Sequence, residues 1–78
     1  MALIEITQLV DARGQSCPMP IVRTAQAMKT LPSGAVVEVV ATDPGSVKDF
    51  AAWCRSTGHQ LVESSSDTAV YRFVIRRK

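Results

Sequence analysis

Cys17 stands in the run Ser16-Cys17-Pro18-Met19-Pro20, a thiol followed at once by a proline and again two residues later. The thiolate, not the thiol, is the nucleophile, so the surroundings decide what this residue does. Ile21, Val22, Ala25 and Met28 recur at helical spacing, which predicts an amphipathic helix opening at Cys17 and running to about Leu31. A helix N-terminus carries roughly half a positive charge and N–H groups without intrahelical partners. Cysteines placed there ionise below the ordinary value of about 8.5, so the spacing predicts a thiolate near neutral pH. Pro18 and Pro20 fit that first turn and stiffen it, leaving the N–H groups of Met19 and Ile21 as local donors. Gly14, in the turn just before, is free to take a positive φ. Arg13 and Arg23 flank the motif; they are candidates for added positive potential and for partner docking. The competing reading packs Cys17 under the helix as a small apolar residue, but neighbouring prolines at a helix start suit that poorly.

What accompanies the thiol narrows the chemistry. His59 is the single histidine, at the start of a strand, and is better read as a structural residue than as a base. Without a base or an oxyanion site the sequence argues against a cysteine hydrolase. There remains chemistry that a thiolate does alone, which is redox exchange or the acceptance and donation of a sulfur atom. Cys54 falls on the apolar stripe of a second helix and is read as core; a resolving thiol and a second carrier site are the alternatives. The two cysteines form no disulfide framework, and no CxxC or Cys/His spacing suggests a metal, so neither metal nor cofactor is expected. Trp53 is read as capping the helix–sheet interface, with a partner-facing role as the alternative. Asp43 has the chemistry of a helix cap and is placed at the same end of the molecule as Cys17, since both precede helices that follow strands.

The elements that must position these groups alternate. Ile4 to Ala12 reads as a strand, Asp11 to Ser16 as the turn out of it, and Pro32-Ser33-Gly34 as the end of the first helix. Ala35 to Thr42, valine-rich and broken only by Glu38, reads as a central strand covered on both faces. Asp43 and Pro44 open a second helix that runs to about Thr57 with Gly58 as its stop. Its expected stripe is Val47, Phe50, Ala51 and Cys54. His59 to Glu63 is a third strand, Ser64-Ser65-Ser66-Asp67 a polar turn, and Ala69 to Ile75 a fourth strand with Tyr71 and Phe73 on its apolar face. The order βαβαββ predicts an α/β (α+β) two-layer sandwich, a four-stranded mixed sheet with both helices on one face. The other face is expected to be partly solvated or used for contacts.

With 78 residues the chain reads as one domain with a modest core. Its 46% hydrophobic and 21% charged residues exclude disorder. No apolar run approaches a membrane span, and Ala2-Leu3-Ile4 is too short for a signal-peptide core, so a cytoplasmic protein is expected. Net charge is +2, with Arg72, Arg76, Arg77 and Lys78 crowded at one end. That cluster reads as a solvated strand face and tail, or as a docking patch for an acidic protein or RNA.

The run Val10-Asp11-Ala12-Arg13-Gly14-Gln15-Ser16-Cys17-Pro18-Met19-Pro20 resembles the signature of the TusA/SirA/YedF family of small sulfur carriers, Leu-Asp-x-x-Gly-x-x-Cys-Pro-x-Pro. The likeness continues through Asp43-Pro44, Trp53-Cys54, Gly58-His59 and Tyr71 to Arg76, and leans toward the TusA branch. It implies a two-layer sandwich like the C-terminal domain of a translation initiation factor, and a persulfide carried on Cys17. It implies a sulfur donor, a cysteine desulfurase or rhodanese-like protein, and an acceptor of the DsrE/TusD type. The relay serves tRNA thiolation, molybdenum-cofactor supply or sulfur oxidation, with no independent turnover, no direct nucleic-acid contact and a monomeric carrier. Gln15 stands where the family usually has leucine, and Val10 replaces leucine. A non-catalytic protein- or RNA-binding regulatory module is the alternative.

Overall fold

The computed structural model describes residues 5–78. Its elements are β1 (Gln8–Ala12), α1 (Met19–Lys29), β2 (Val36–Ala41), α2 (Ser46–Thr57), β3 (Gln60–Asp67) and β4 (Val70–Arg76). The four-stranded sheet has the order β1-β2-β4-β3. β1 runs parallel to β2, with Val10 opposite Val39, and β4 is antiparallel to both β2 and β3. α1 packs on β1 and β2, α2 on β3 and β4, and the helices touch each other. The sandwich with both helices on one face is therefore the observed fold.

Alternation along the strands decides which side chains meet the helices. Val37, Val39 and Ala41 of β2 are wholly buried, as are Phe73 and Ile75 of β4. Met28 from α1 and Phe50 and Cys54 from α2 close over them. Phe50 stacks on Phe73 with ring centroids 4.5 Å apart, and Trp53 meets Phe50 edge-on at 6.2 Å. On the open face Arg72 of β4 pairs with Glu38 of β2 at 3.1 Å and with Glu63 of β3. This three-strand rung of charge suits a solvated face.

Several sequence expectations shift in register. The ladder begins at Gln8, not near Ile4, which lies outside the described residues; ahead of it Thr7 Oγ1 accepts the Val36 N–H at 3.2 Å. α1 buries Pro20, Thr24 and Met28, so Val22 lies outside the stripe and is exposed. Thr24 tolerates burial because its hydroxyl donates to the Pro20 carbonyl at 2.8 Å. α2 likewise buries Ser46, Phe50 and Cys54, leaving Val47 exposed. Asp43 is not the cap of α2: the helix begins at Ser46, with Gly45 in the cap position. The Ser64–Asp67 turn is not a turn at all. β3 continues to Asp67, and the hairpin reverses at Thr68 and Ala69, both with positive φ. Neither is the Gly or Asn that normally announces such a turn.

Gly58 ends α2 in the left-handed conformation, φ 85°, its N–H bonded to the Cys54 carbonyl at 2.9 Å. Next to it His59 Nδ1 accepts the Lys78 N–H at 3.0 Å, while Arg77 Nε donates to the Met28 carbonyl at 2.8 Å. The guanidinium groups of the C-terminal cluster are thus engaged within the fold: Arg77 with Met28, Arg76 with Gln60 and Arg72 with Glu38 and Glu63. Burial, with Arg77 and Lys78 nearby, holds the His59 pKa below its ordinary 6.5. The unfolded chain therefore takes the His59 proton first as pH falls. This contribution to stability is complete above 6.5 and declines as pH drops through 6.5 toward the lower folded value. Denaturant unfolding at pH 7.5 and 5.5 should show lower stability at the acid pH, and His59→Phe should flatten the difference. An unchanged slope in His59→Phe would assign the effect to another group.

Candidate functional site

β1 and β2 are parallel neighbours, so the loops that leave their C-terminal ends lie side by side. The loop after β1 carries Gly14, Gln15, Ser16 and Cys17; the loop after β2 carries Thr42 and Asp43. Two hydrogen bonds stitch them. The Gly14 N–H donates to Thr42 Oγ1 at 2.9 Å, which Gly14 reaches with φ +79°, a conformation most residues avoid. The Cys17 N–H donates to Asp43 Oδ2 at 3.0 Å, while Asp43 Oδ1 accepts the Gly45 N–H at 3.4 Å. Asp43 is thus the clasp between the loops.

Beyond the clasp the chain turns into α1. The Met19 N–H donates to the Ser16 carbonyl at 2.9 Å and the Val22 N–H to the Pro18 carbonyl at 3.1 Å. Pro18 is in the cap position, Pro20 lies in the first turn, and the Cys17–Pro18 peptide is cis. Cys17 is exposed, whereas Cys54 is buried, and burial pushes the Cys54 thiol up. Among the described residues no cluster of His, Cys, Asp and Glu is placed to hold a metal ion. No helix there is long and apolar enough to cross a membrane.

The charge around Cys17 has the opposite sign to the one expected from the helix terminus. Its thiol is pushed above the ordinary value, first by the influence of the Asp49 carboxylate, then by partial desolvation and by the charge of Asp43. The reason is geometric. Cys17 precedes α1 by two residues, its own N–H is given to a carboxylate, and the Met19 N–H is turned to Ser16. Arg13 offers no compensation, because it folds back onto Asp11 with its Nη2 2.9 Å from Oδ2. That pair holds the Asp11 carboxyl at about 2, and Arg23 acts on the same carboxylate. Arg13 of the expected cationic rim is therefore directed at Asp11, beside a groove of about 300 Å³ between β1 and α1 that Arg23 also lines. Asp49 and Thr42 were not singled out from sequence. Thr42 ends a strand parallel to that of the motif, which is a usable signal; nothing marks Asp49 beyond its place in a first helical turn.

Gln15, the departure from the family pattern, is half-buried, and its Oε1 is enclosed without a protein partner. Tyr71 and Phe73 face the helices, which leaves neither aromatic ring on the open face for stacking on bases.

The geometry has counterparts in known proteins. A family described as Sulfurtransferase TusA matches residues 8–77. The chain belongs to the TusA family. The Allochromatium vinosum protein called sulfur carrier protein TusA is 41% identical over 75 residues, 96% of this chain and 99% of its own. A putative sulfur carrier protein of Bacillus subtilis, YrkI, is 46% identical over 70 residues, 90% of this chain and 93% of its own. Among solved structures, a SirA-like protein from Desulfitobacterium hafniense superposes with a TM-score of 0.78 at 28% identity, covering 90% of this chain and 96% of its own. TusA-family membership and the sandwich fold thus agree with the resemblance read from the motif.

Proposed function

We propose that this protein is a cytoplasmic sulfur carrier that accepts sulfane sulfur as a persulfide on Cys17 and hands it to a partner protein. The observation that carries this reading is one exposed thiol on a loop pinned by Gly14–Thr42 and Cys17–Asp43. A pinned, open thiol suits delivery into a larger enzyme's site, and a thiol held above its ordinary pKa suits a group that turns over only in a complex. Gly14, Pro18 and Pro20 support the loop. The donor is a cysteine desulfurase or rhodanese-like protein and the acceptor a DsrE/TusD-type protein, in tRNA thiolation, molybdenum-cofactor supply or sulfur oxidation.

The transfer is balanced without an external oxidant. The Cys17 sulfur attacks the outer sulfur of a donor persulfide, a new S–S bond forms as the donor's S–S bond breaks, and the donor thiolate leaves. Incubation with a cysteine desulfurase and cysteine should add the mass of one sulfur atom, removed by dithiothreitol. A folded, reduced protein that stays unloaded with several donors would instead favour a regulatory binding module.

A further inference from the structure

β1 is an end strand: among the described residues only β2 pairs with it. The Thr7 N–H donates to the Val36 carbonyl at 2.7 Å, so the alternation of an extended chain turns the backbone groups of Thr7, Leu9 and Asp11 toward β2. Those of Gln8, Val10 and Ala12 point out of the sheet. Apart from the Ala12 carbonyl, which accepts the Gln15 N–H at 3.3 Å, they have no protein partner among the described residues. α1 overhangs this edge, with Arg23 and Gln26 facing Gln8 and Val10 across a groove of about 300 Å³. Leu9, on the open face of the same strand, is 58% exposed. The opposite end strand, β3, is blunted as sheet edges usually are. Its register shifts between Leu61 and Glu63, and Glu63 and Asp67 put charge on it. β1 has neither a register shift nor a proline, and its one charge, Asp11, is held by Arg13. Arg23 is exposed and enters none of the ion pairs among the described residues, so the groove beside the free edge holds an unmatched cation. Two copies joined β1 to β1 would set both Arg23 side chains in one groove, where like charges oppose the pairing.

We propose that the outer edge of β1 takes up an extended, acidic segment of a partner protein as an antiparallel fifth strand. The backbone N–H and C=O groups of Gln8 and Val10 pair with the segment, antiparallel being the more stable arrangement. Residues of the segment opposite Gln8 and Val10 point into the groove, where an Asp or Glu meets Arg23. The residues between them lie beside Leu9 and are apolar, so the segment alternates acidic and apolar side chains. The edge ends at Ala12, where the loop carrying Cys17 leaves, so a segment seated there tethers its protein near the thiol. This surface is separate from the thiol and is tested without sulfur, so a failure of Cys17 to load would leave it standing.

The probe is a fluorescent peptide, Thr-Val-Glu-Val-Glu-Val-Thr, added to the full chain under reducing conditions. Anisotropy should show saturable binding at up to millimolar concentration. Amide hydrogen exchange followed by NMR should slow at Gln8 and Val10, while Leu9 and Asp11, already in the ladder, change little. The same peptide N-methylated at its two glutamates keeps every side chain but loses the N–H groups that face β1, and it should not bind. Arg23→Glu should weaken the acidic peptide roughly three- to tenfold, and a peptide with lysine for glutamate should recover binding in that variant. No binding of the acidic peptide, unchanged exchange at Gln8 and Val10, or equal binding by the methylated peptide overturns the strand pairing. Affinity indifferent to Arg23→Glu overturns the acidic partner. A dimer in analytical ultracentrifugation that excludes the peptide gives the edge to a second copy and overturns the proposal as well.

Discussion

Cys17→Ser is expected to abolish sulfur uptake entirely, while Cys54→Ala retains it. A serine hydroxyl keeps the shape of the residue but is protonated throughout the working pH range and forms no persulfide. Exposure lets a partner reach Cys17; Cys54, 5% exposed between α2 and the sheet, has no such path. Burial also pushes the Cys54 thiol up, so access and ionisation both hold it back. Its loss should be felt as packing, about 1 kcal/mol of stability. Intact-mass measurement after incubation with a donor, with far-UV circular dichroism for folding, decides the matter. Sulfur retained by Cys17→Ser would move the carrier site to Cys54 or elsewhere.

The sheet was readable because its central strand has no ambiguity. Val36 to Ala41 is apolar except at Glu38, and β2 does lie between two neighbours, although only one of its faces meets the helices while Glu38 pairs with Arg72 on the other. Gly58 was likewise readable, since a left-handed helix end asks for that residue. The helix faces were harder. Apolar spacing favoured Val22 and Val47, yet the buried rows are Pro20-Thr24-Met28 and Ser46-Phe50-Cys54. Each helix is rotated by how its entry loop is tied, and in α1 an internal hydroxyl bond lets Thr24 pass as core. The Thr68-Ala69 reversal escaped because its residues carry no turn signature, while the serines before it do.

The site shows the same division. That Cys17, Gly14, Pro18, Pro20 and Asp43 gather at one sheet end follows from two strand-to-helix connections on parallel strands. The sign of the electrostatics at the thiol does not follow, because it depends on where free N–H groups point. A helix terminus stabilises an anion only when its donors are unengaged and aimed at it. Here the Cys17 N–H goes to Asp43 and the Met19 N–H to Ser16. The charges of Asp43 and Asp49 then raise the thiol instead of lowering it, and the Asp43 contact depends on a loop arrangement that spacing alone does not give.

The largest stability effect is expected at the layer that holds the two helix starts together. Phe73 is fully buried, sits opposite Val39 in the sheet register and stacks on Phe50 of α2. Phe73→Ala removes the ring from the centre of the sandwich, which costs about 3–5 kcal/mol through lost burial and residual cavity. Against a total of about 5–15 kcal/mol for a small protein, this leaves the fold marginal. A melting temperature lower by roughly 15 °C or more is expected. Phe50→Ala should act similarly, and because the rings touch, the double variant should lose less than the sum of the two by about 0.5–1.5 kcal/mol. Trp53, the only tryptophan, lies edge-on to Phe50 and reports urea unfolding directly in Phe73→Ala. A loss below about 1.5 kcal/mol, or strict additivity with Phe50→Ala, would mean that the core is held elsewhere than in this stack.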